Sequence, residues 1–315
     1  MRYLWKLIFS LCLTSQVACQ PLKTINVNVV GDDGNPIEGA EVVVWFYGYQ
    51  PEDSKSDEGL TNEEGNFHAQ GRPLLGMLAR VNKDGYYQTE KDRLPMTEDQ
   101  NLTLVLRETL NPIPLIVRKV REKVPGIGEF YGYDLKNGDW VKPFGKGMHT
   151  DLLFKVMIVK NEEGKFGGKL EVTFLSENEG VFVIDSSNGY LPLSKMKMPN
   201  LAPSEAYKQN IKRIEYGYQN VNKPRNTSYF FRTRVNEESN GEFTYHYTKF
   251  LDGIKFSMGG GQFLEEPSRS KYPKEYGAID FVYYFNPQRN DRNLEFDPSS
   301  NLIKGLKYGE RESQP

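Results

Sequence analysis

The sequence predicts an all-β protein of two domains, an N-terminal β-sandwich followed by a larger, mainly antiparallel β domain. Three observations predict it. Apolar residues recur with a period of two in short runs, as in Ile25, Val27 and Val29 against Asn26 and Asn28, the pattern of a half-buried strand. Turn formers punctuate those runs, with 29 Gly and 18 Pro in 315 residues. The 19 Tyr and 18 Phe join Val and Thr in a composition that favours pleated surfaces over helices. The length is too great for one small sandwich and fits two domains.

The first residues read as an export leader. Arg2 and Lys6 form a charged start, residues 7–13 (LIFSLCL) an apolar run too short to span a bilayer, and residues 14–18 a polar, small-residue exit. Of the two cysteines, Cys12 lies inside the leader and Cys19 just after Ala18. The mature chain therefore keeps one thiol at most and has no internal disulfide. Residues 16–19 (QVAC) resemble a bacterial lipobox, with Gln16 where that pattern favours Leu. The resemblance implies acylation of Cys19 and attachment to a membrane by several chains, enough for stable anchoring. An ordinary cut after Ala18, leaving an incidental thiol, is the alternative. The expected organisation is leader 1–18, tether 19–24, sandwich 25–107, linker 108–125, β domain 126–300 and flexible tail 301–315.

In the sandwich, residues 31–36 (GDDGNP) close the first strand as a turn. Residues 42–47 (VVVWFY) form a continuous apolar run suited to a strand covered on both sides. A turn cluster is expected at 51–59, then short strands at 60–61, 66–69, 75–81 and 86–89, and Leu102, Leu104 and Leu106 alternate in the last strand. Three blocks in order, residues 30–44 (VGDDGNPIEGAEVVV), 59–67 (GLTNEEGNF) and 84–86 (DGY), resemble the carboxypeptidase regulatory-like family with its transthyretin-like (prealbumin-like) sandwich. That resemblance implies an accessory or spacer module of exported proteins without chemistry of its own.

Residues 111–114 (NPIP) stiffen the chain where the domains meet. Beyond them strands are expected at 152–159, 170–174, 181–184, 229–235, 243–248, 254–258 and 279–285, with a helix start at Ala202, Pro203, Ser204 and Glu205 or, as the alternative, a strand that includes Tyr216 and Tyr218. Residues 132–140 (GYDLKNGDW) and 283–297 (YYFNPQRNDRNLEFD) resemble segments of uncharacterised exported proteins from planctomycete and verrucomicrobial bacteria, a likeness that implies export and no activity.

The balance of 40 basic and 42 acidic residues supplies no field to recruit nucleic acid. The three histidines, His68, His149 and His246, fall in no metal-ligand spacing, and His246 is expected on the exposed face of its strand. Neither a nucleophile-elbow nor a phosphate-loop motif occurs, and Gly145 to Gly147 reads as a flexible turn. Asp291, Asn293, Glu295 and Asp297 recur at every second position, which in an extended chain sets four oxygen donors on one side. The calcium-loop spacing is not met, and a solvated strand face is the simpler reading. Aromatic residues near Asn and Asp suit sugar stacking or protein interfaces, and Trp140, Tyr245, Tyr247 and Tyr284 are the candidates; core packing is the competing role.

The function these features imply is a non-enzymatic envelope lipoprotein that needs no cofactor. Its sandwich would act as a spacer and its C-terminal domain would bind an envelope protein or glycan. A carbohydrate-binding protein and a glycan-active hydrolase are the alternatives. The hydrolase requires two carboxylates facing one another across a cleft.

Overall fold

Period-two runs become strands in both halves of the chain. The computed structural model describes residues 22–94, 100–164, 166–185, 198–216, 227–259 and 276–312, and these are all-β. Among them 22–110 form one unit and 111–312 a second. Among the described residues no helix is long and apolar enough to cross a membrane. The expected leader, Cys19 and half of the expected tether, residues 19–21, lie outside the described residues.

The first unit contains β1 (Lys23–Gly31), β2 (Glu41–Tyr47), β3 (Lys55–Leu60), β4 (Asn66–Gly71), β5 (Gly76–Asn82), β6 (Tyr86–Tyr87), β7 (Thr89–Leu94) and β8 (Gln100–Glu108). They form two four-stranded sheets, ordered β4-β1-β8-β6 and β3-β2-β5-β7. The β1–β8 pair is parallel. Ile25, Val27 and Val29 face Val42, Val44, Phe46, Ala79 and Val81 across one core, joined by Leu102, Leu104 and Leu106. Two expectations change here. Residues 55–59, expected as turn, are strand, because β3 pairs along β2 from Leu60 to Lys55. The 42–47 run is covered fully on one face only: Val42, Val44 and Phe46 are buried, whereas Trp45 faces outward under the Arg80 guanidinium, 4.8 Å from its ring.

The second unit contains β9 (Ile116–Lys123), β10 (Phe130–Asp134), β11 (Asp139–Trp140), β12 (Leu152–Lys160), β13 (Phe166–Thr173), β14 (Gly180–Asp185), β15 (Asn210–Tyr216), β16 (Thr227–Glu237), β17 (Phe243–Gly259) and β18 (Tyr276–Phe285). Two five-stranded antiparallel sheets, β11-β10-β12-β13-β15 and β14-β16-β17-β18-β9, enclose an aromatic core in which Phe154 and Phe250 both stack on Phe281. On its outer face the second sheet carries a further apolar layer, where Met198, Ala202, Leu294 and Phe296 roof Phe230, Tyr247, Leu251 and Tyr284.

Four further expectations are corrected. The 108–125 linker holds β9, an edge strand paired with β18 from Ile116 to Lys123. The 301–315 tail is anchored as far as it is described: Asn301 accepts from the Val117 N–H at 3.2 Å and donates to its carbonyl at 2.8 Å, and Glu310 pairs with Arg118 at 2.7 Å. No helix starts at 202–205: just before it Leu201 bridges to Asn293, and just after it Ala206 takes a φ of 65°. Strands expected at 243–248 and 254–258 are one strand, β17, bent by a bulge at Asp252 and Gly253, whose φ values are 56° and 71°.

Candidate recognition loop

Asp134 ends β10 and organises everything that follows it. Its buried carboxylate accepts hydrogen bonds from the backbone N–H groups of Lys136 (3.0 Å), Asn137 (3.1 Å), Met148 (2.9 Å) and His149 (3.1 Å), and from Asn137 Nδ2 (2.6 Å). Such short-range bonds from Asp to the following backbone are the chemistry of turns. The same loop is held a second time by Asp139, which accepts from the N–H groups of Trp140 (2.8 Å) and Lys146 (2.9 Å). Gly145 and Gly147 read as flexible in the sequence, yet they are glycines because the loop doubles back on itself. A Cβ on Gly147 would meet the Asp139 and Trp140 carbonyls at 2.9 Å, and one on Gly145 would collide with the Asp139 carboxylate.

Arg234 fastens this loop to the second sheet. It sits in β16 where the pairing with β17 slips between Thr233 and Asn236, and its φ of 54° is left-handed, rare for a side chain of this size. Bulges re-aim side chains. This one sends the guanidinium into the interior, with Nη2 2.7 Å from Asp134 Oδ1, Nε 2.7 Å from Asp151 Oδ1 and Nη2 2.8 Å from Asp151 Oδ2, over the face of Phe285. Asp151 also accepts from Leu135 N at 2.7 Å. Burial pushes Asp134 up, but its bonds from Met148, Asn137 and His149 outweigh burial and leave it below the ordinary carboxylate range. For Asp151 burial prevails over Arg234 and the carboxyl lies above its ordinary value. Buried charges of this kind rarely stabilise a fold more than apolar residues of the same volume. What they contribute is position.

The positioned object is a surface loop. Phe144 is 57% exposed and Met148 70% exposed, in contrast to the buried Trp140 beneath them. Phe144 leans edge-on against Tyr131 at 4.9 Å. Lys142, Lys146 and His149 flank them at the surface. An over-determined exposed loop carrying large apolar side chains in a basic setting suits recognition.

Of the aromatic residues singled out from the sequence, Tyr245, Tyr247 and Tyr284 gather on the outer face of the second sheet and Trp140 lies apart from them. Trp140 packs edge-on against Tyr133 at 5.2 Å and belongs to the core. Tyr284 is fully buried under Lys249 and Phe296. Tyr247 is buried, and Tyr245 is half-exposed with the Arg232 guanidinium 4.4 Å from its ring; Arg232 also lies 4.8 Å from Tyr207. Tyr245 and Tyr247 touch with ring centroids 6.4 Å apart, but Tyr247 and Tyr284 are covered, so the three form no exposed platform; period two alone does not reveal that an irregular segment roofs the outer sheet face. His246, expected outside, is half-buried, stacked on Phe285 with ring centroids 5.4 Å apart. Phe250, two repeats further along the same face, lies in the core and takes His246 and Thr248 inward with it.

The alternating acidic row is taken up by backbone N–H groups. Asp291 accepts from Asn293 N (3.0 Å), Asn293 from Glu295 N (2.9 Å) and Asp297 from Ser299 N (2.8 Å), each within a local turn, whereas Glu295 accepts from the distant Asn111 N (2.7 Å). Among the described residues no three His, Cys, Asp or Glu converge as a metal site would need. Sequence reasoning missed Asp134, Asp151 and Arg234. The Asp-x-x-Asn-Gly string at 134–138 signals the turn, whereas nothing local marks Arg234, which is 83 residues from Asp151.

No known protein family matches the chain, and no characterised protein does either. Among solved structures, similarity is found to the shaft pilin SpaA from Lactobacillus rhamnosus GG, 12% identical over 47% of this chain and 63% of that one, with a TM-score of 0.21. This chain thus spans under two thirds of that pilin's length. A carbohydrate-binding candidate from Bacteroides uniformis is 8% identical over 82% of this chain and 97% of the other, with a TM-score of 0.20. A candidate membrane-associated protein of unknown function from Bacteroides fragilis is 10% identical over 85% and 98%, with a TM-score of 0.21. TM-scores this low assign neither topology nor function.

Proposed function

We propose that this chain is an exported, non-enzymatic binding protein of the bacterial cell envelope, anchored by acyl chains on Cys19, whose second unit recognises another envelope protein through residues 141–149. The observation that carries the reading is the loop itself, held by Asp134, Asp139, Asp151 and Arg234 while Phe144 and Met148 stand exposed. Rigid loops lose little conformational freedom on binding, and apolar anchors amid Lys142, Lys146 and His149 complement an apolar pocket with an acidic rim. The first unit serves as the spacer that its carboxypeptidase regulatory-like blocks imply. With β1 starting at Lys23, four residues after Cys19, acylation would keep the start of that unit within about 14 Å of the bilayer surface.

Photocrosslinking in intact cells tests the loop. A benzoylphenylalanine at position 144 or 148 should give one discrete adduct with a protein, and the same group at the exposed position 91 none. Equal labelling at all three positions would sink the reading. A carbohydrate reading draws on the half-exposed Tyr207, Arg232 and Tyr245. It is favoured if positions 144 and 148 stay silent and Tyr245→Ala abolishes retention on cell-wall polysaccharide. For the anchor, radiolabelled fatty acid should enter the wild type and not Cys19→Ala; an unlabelled, soluble wild type rejects it.

A further inference from the structure

We infer that the interior of the second unit contains an ordered-water site, bounded by Arg118 and Glu122 of β9, Tyr283 of β18, Tyr133 of β10 and Trp140 of β11. Four polar atoms in this region, Arg118 Nε, Tyr133 Oη, Trp140 Nε1 and Tyr283 Oη, are buried and have no hydrogen-bond partner among the described residues. They lie close together. Arg118 and Tyr283 are direct partners in the β9–β18 register. A Cβ built on Gly138 would fall 2.7 Å from Arg118 Nη1 and 2.9 Å from Tyr283 Oη, so guanidinium and hydroxyl border the same space beneath that glycine. Gly138 also accepts from Arg118 Nη1. Tyr133 packs against Trp140 on the facing sheet. Burial raises Glu122 and the Arg118 charge acts against it, as does the approach of the Trp140 indole N–H, which points toward the carboxylate without closing a direct hydrogen bond to it.

The chemistry of these groups selects the occupant. Each buried polar group left unpaired lowers the folding equilibrium constant by about five-fold or more, and native structures leave few such groups. Four together are a large cost for a fold of ordinary, marginal stability. Arg118 Nε and Trp140 Nε1 only donate, whereas the two phenol hydroxyls donate or accept. The occupant must therefore accept at least two bonds and be able to donate to Glu122 or a phenol oxygen. An anion is disfavoured because the single Arg118 charge already faces Glu122 at 3.5 Å and Glu310 at 2.7 Å. A metal cation would meet two N–H groups head-on. A neutral water satisfies the set, as buried waters do at otherwise unpaired polar atoms. It would tie the edge strand that carries the Glu310 ion pair to the loop that starts at Asp134, independently of what that loop binds.

A purely structural account competes with this. Arg118 and Glu122 face inward on an edge strand, a known device against sheet-to-sheet aggregation, and on that account the hydroxyls are simply orphaned. Tyr133→Phe and Tyr283→Phe separate the two, since each keeps the ring and deletes only the hydroxyl. With a water bound, each variant lowers the folding equilibrium constant about five-fold or more in urea titrations. In parallel, the indole N–H of Trp140, assigned by its loss in Trp140→Phe, should cross-relax with a long-lived water in NMR spectra of the wild-type protein. Folding constants that stay level or rise in both tyrosine variants, or a Trp140 indole with no such water, overturn the site.

Discussion

Asp134, Asp151 and Arg234 act as a unit, and the unit has an asymmetry that can be measured. Removing one partner strands buried charge, so Arg234→Met should lower stability by about 3–5 kcal/mol. Neutralising all three, as in Asp134→Asn with Asp151→Asn and Arg234→Met, should recover a substantial part of that loss, because no uncompensated charge then remains. Urea midpoints of the two variants decide it; a triple variant weaker than the single one contradicts the reading. The carboxyls add a pH dependence. Burial acts to raise Asp134, but the bonds from Met148, Asn137 and His149 hold it below its unfolded value. Its contribution is therefore present above the unfolded carboxylate range, near about pH 4, and is lost as pH falls through the folded pKa. Asp151, raised chiefly by burial, has the opposite sign: its contribution is full below the unfolded pKa and fades as pH rises through the folded one. The acid-side loss of stability should thus be smaller in Asp134→Asn than in wild type. An identical acid limb in both would remove Asp134 from this role.

At the level of strands and turns, two glycines with similar backbone angles differ in what surrounds them. Gly34 and Gly65 have φ values of 79° and 74°. A Cβ on Gly34 meets nothing within 4 Å, whereas on Gly65 it collides with the Val29 carbonyl and comes within 3.2 Å of Ile37 N. Gly34→Ala should cost only the left-handed backbone term of about 1–2 kcal/mol; Gly65→Ala should add the steric displacement and reach about 3 kcal/mol or more. Equal costs by chemical denaturation would show that the turn yields freely. Both turns were legible in the sequence, since GDDGNP and NEEGN carry their bonding with them: Asp33 accepts from Asn35 N at 2.9 Å, and Asn62 from Asn66 N at 2.8 Å. So was the core face of β1, where burial alternates, and the leucine row of β8, although Val105 and Arg107 between those leucines are buried too. Illegible were features set by distant chain. The strand inside 108–125 exists because β18 pairs with it, the outer face of β17 is covered because 198–202 and 294–296 return over it, and Arg234 finds its carboxylates 83 and 100 residues away. Period two tells which residues share a face and is silent on what covers that face.

Across the whole chain the separate cores have a thermodynamic consequence. The first unit closes around Ile25, Val42, Leu104 and their neighbours, and the second around Phe154, Phe250 and Phe281, with no residue common to the two clusters. Cooperative unfolding follows shared burial, and a chain with two cores need not melt as one. The expected scan is therefore two transitions. Leu104→Ala deletes a fully buried side chain in the first unit and should lower one transition by about 2–5 kcal/mol, leaving the other in place. Phe281→Ala, against which Phe154 and Phe250 stack, should do the reverse by about 3–5 kcal/mol. Differential scanning calorimetry of the three proteins reads this directly. If both substitutions move the same transition, or move both transitions together, the units are energetically one body. A spacer that merely carries a recognition unit then ceases to describe the molecule, because load or binding at residues 141–149 would reach the first unit's sheets.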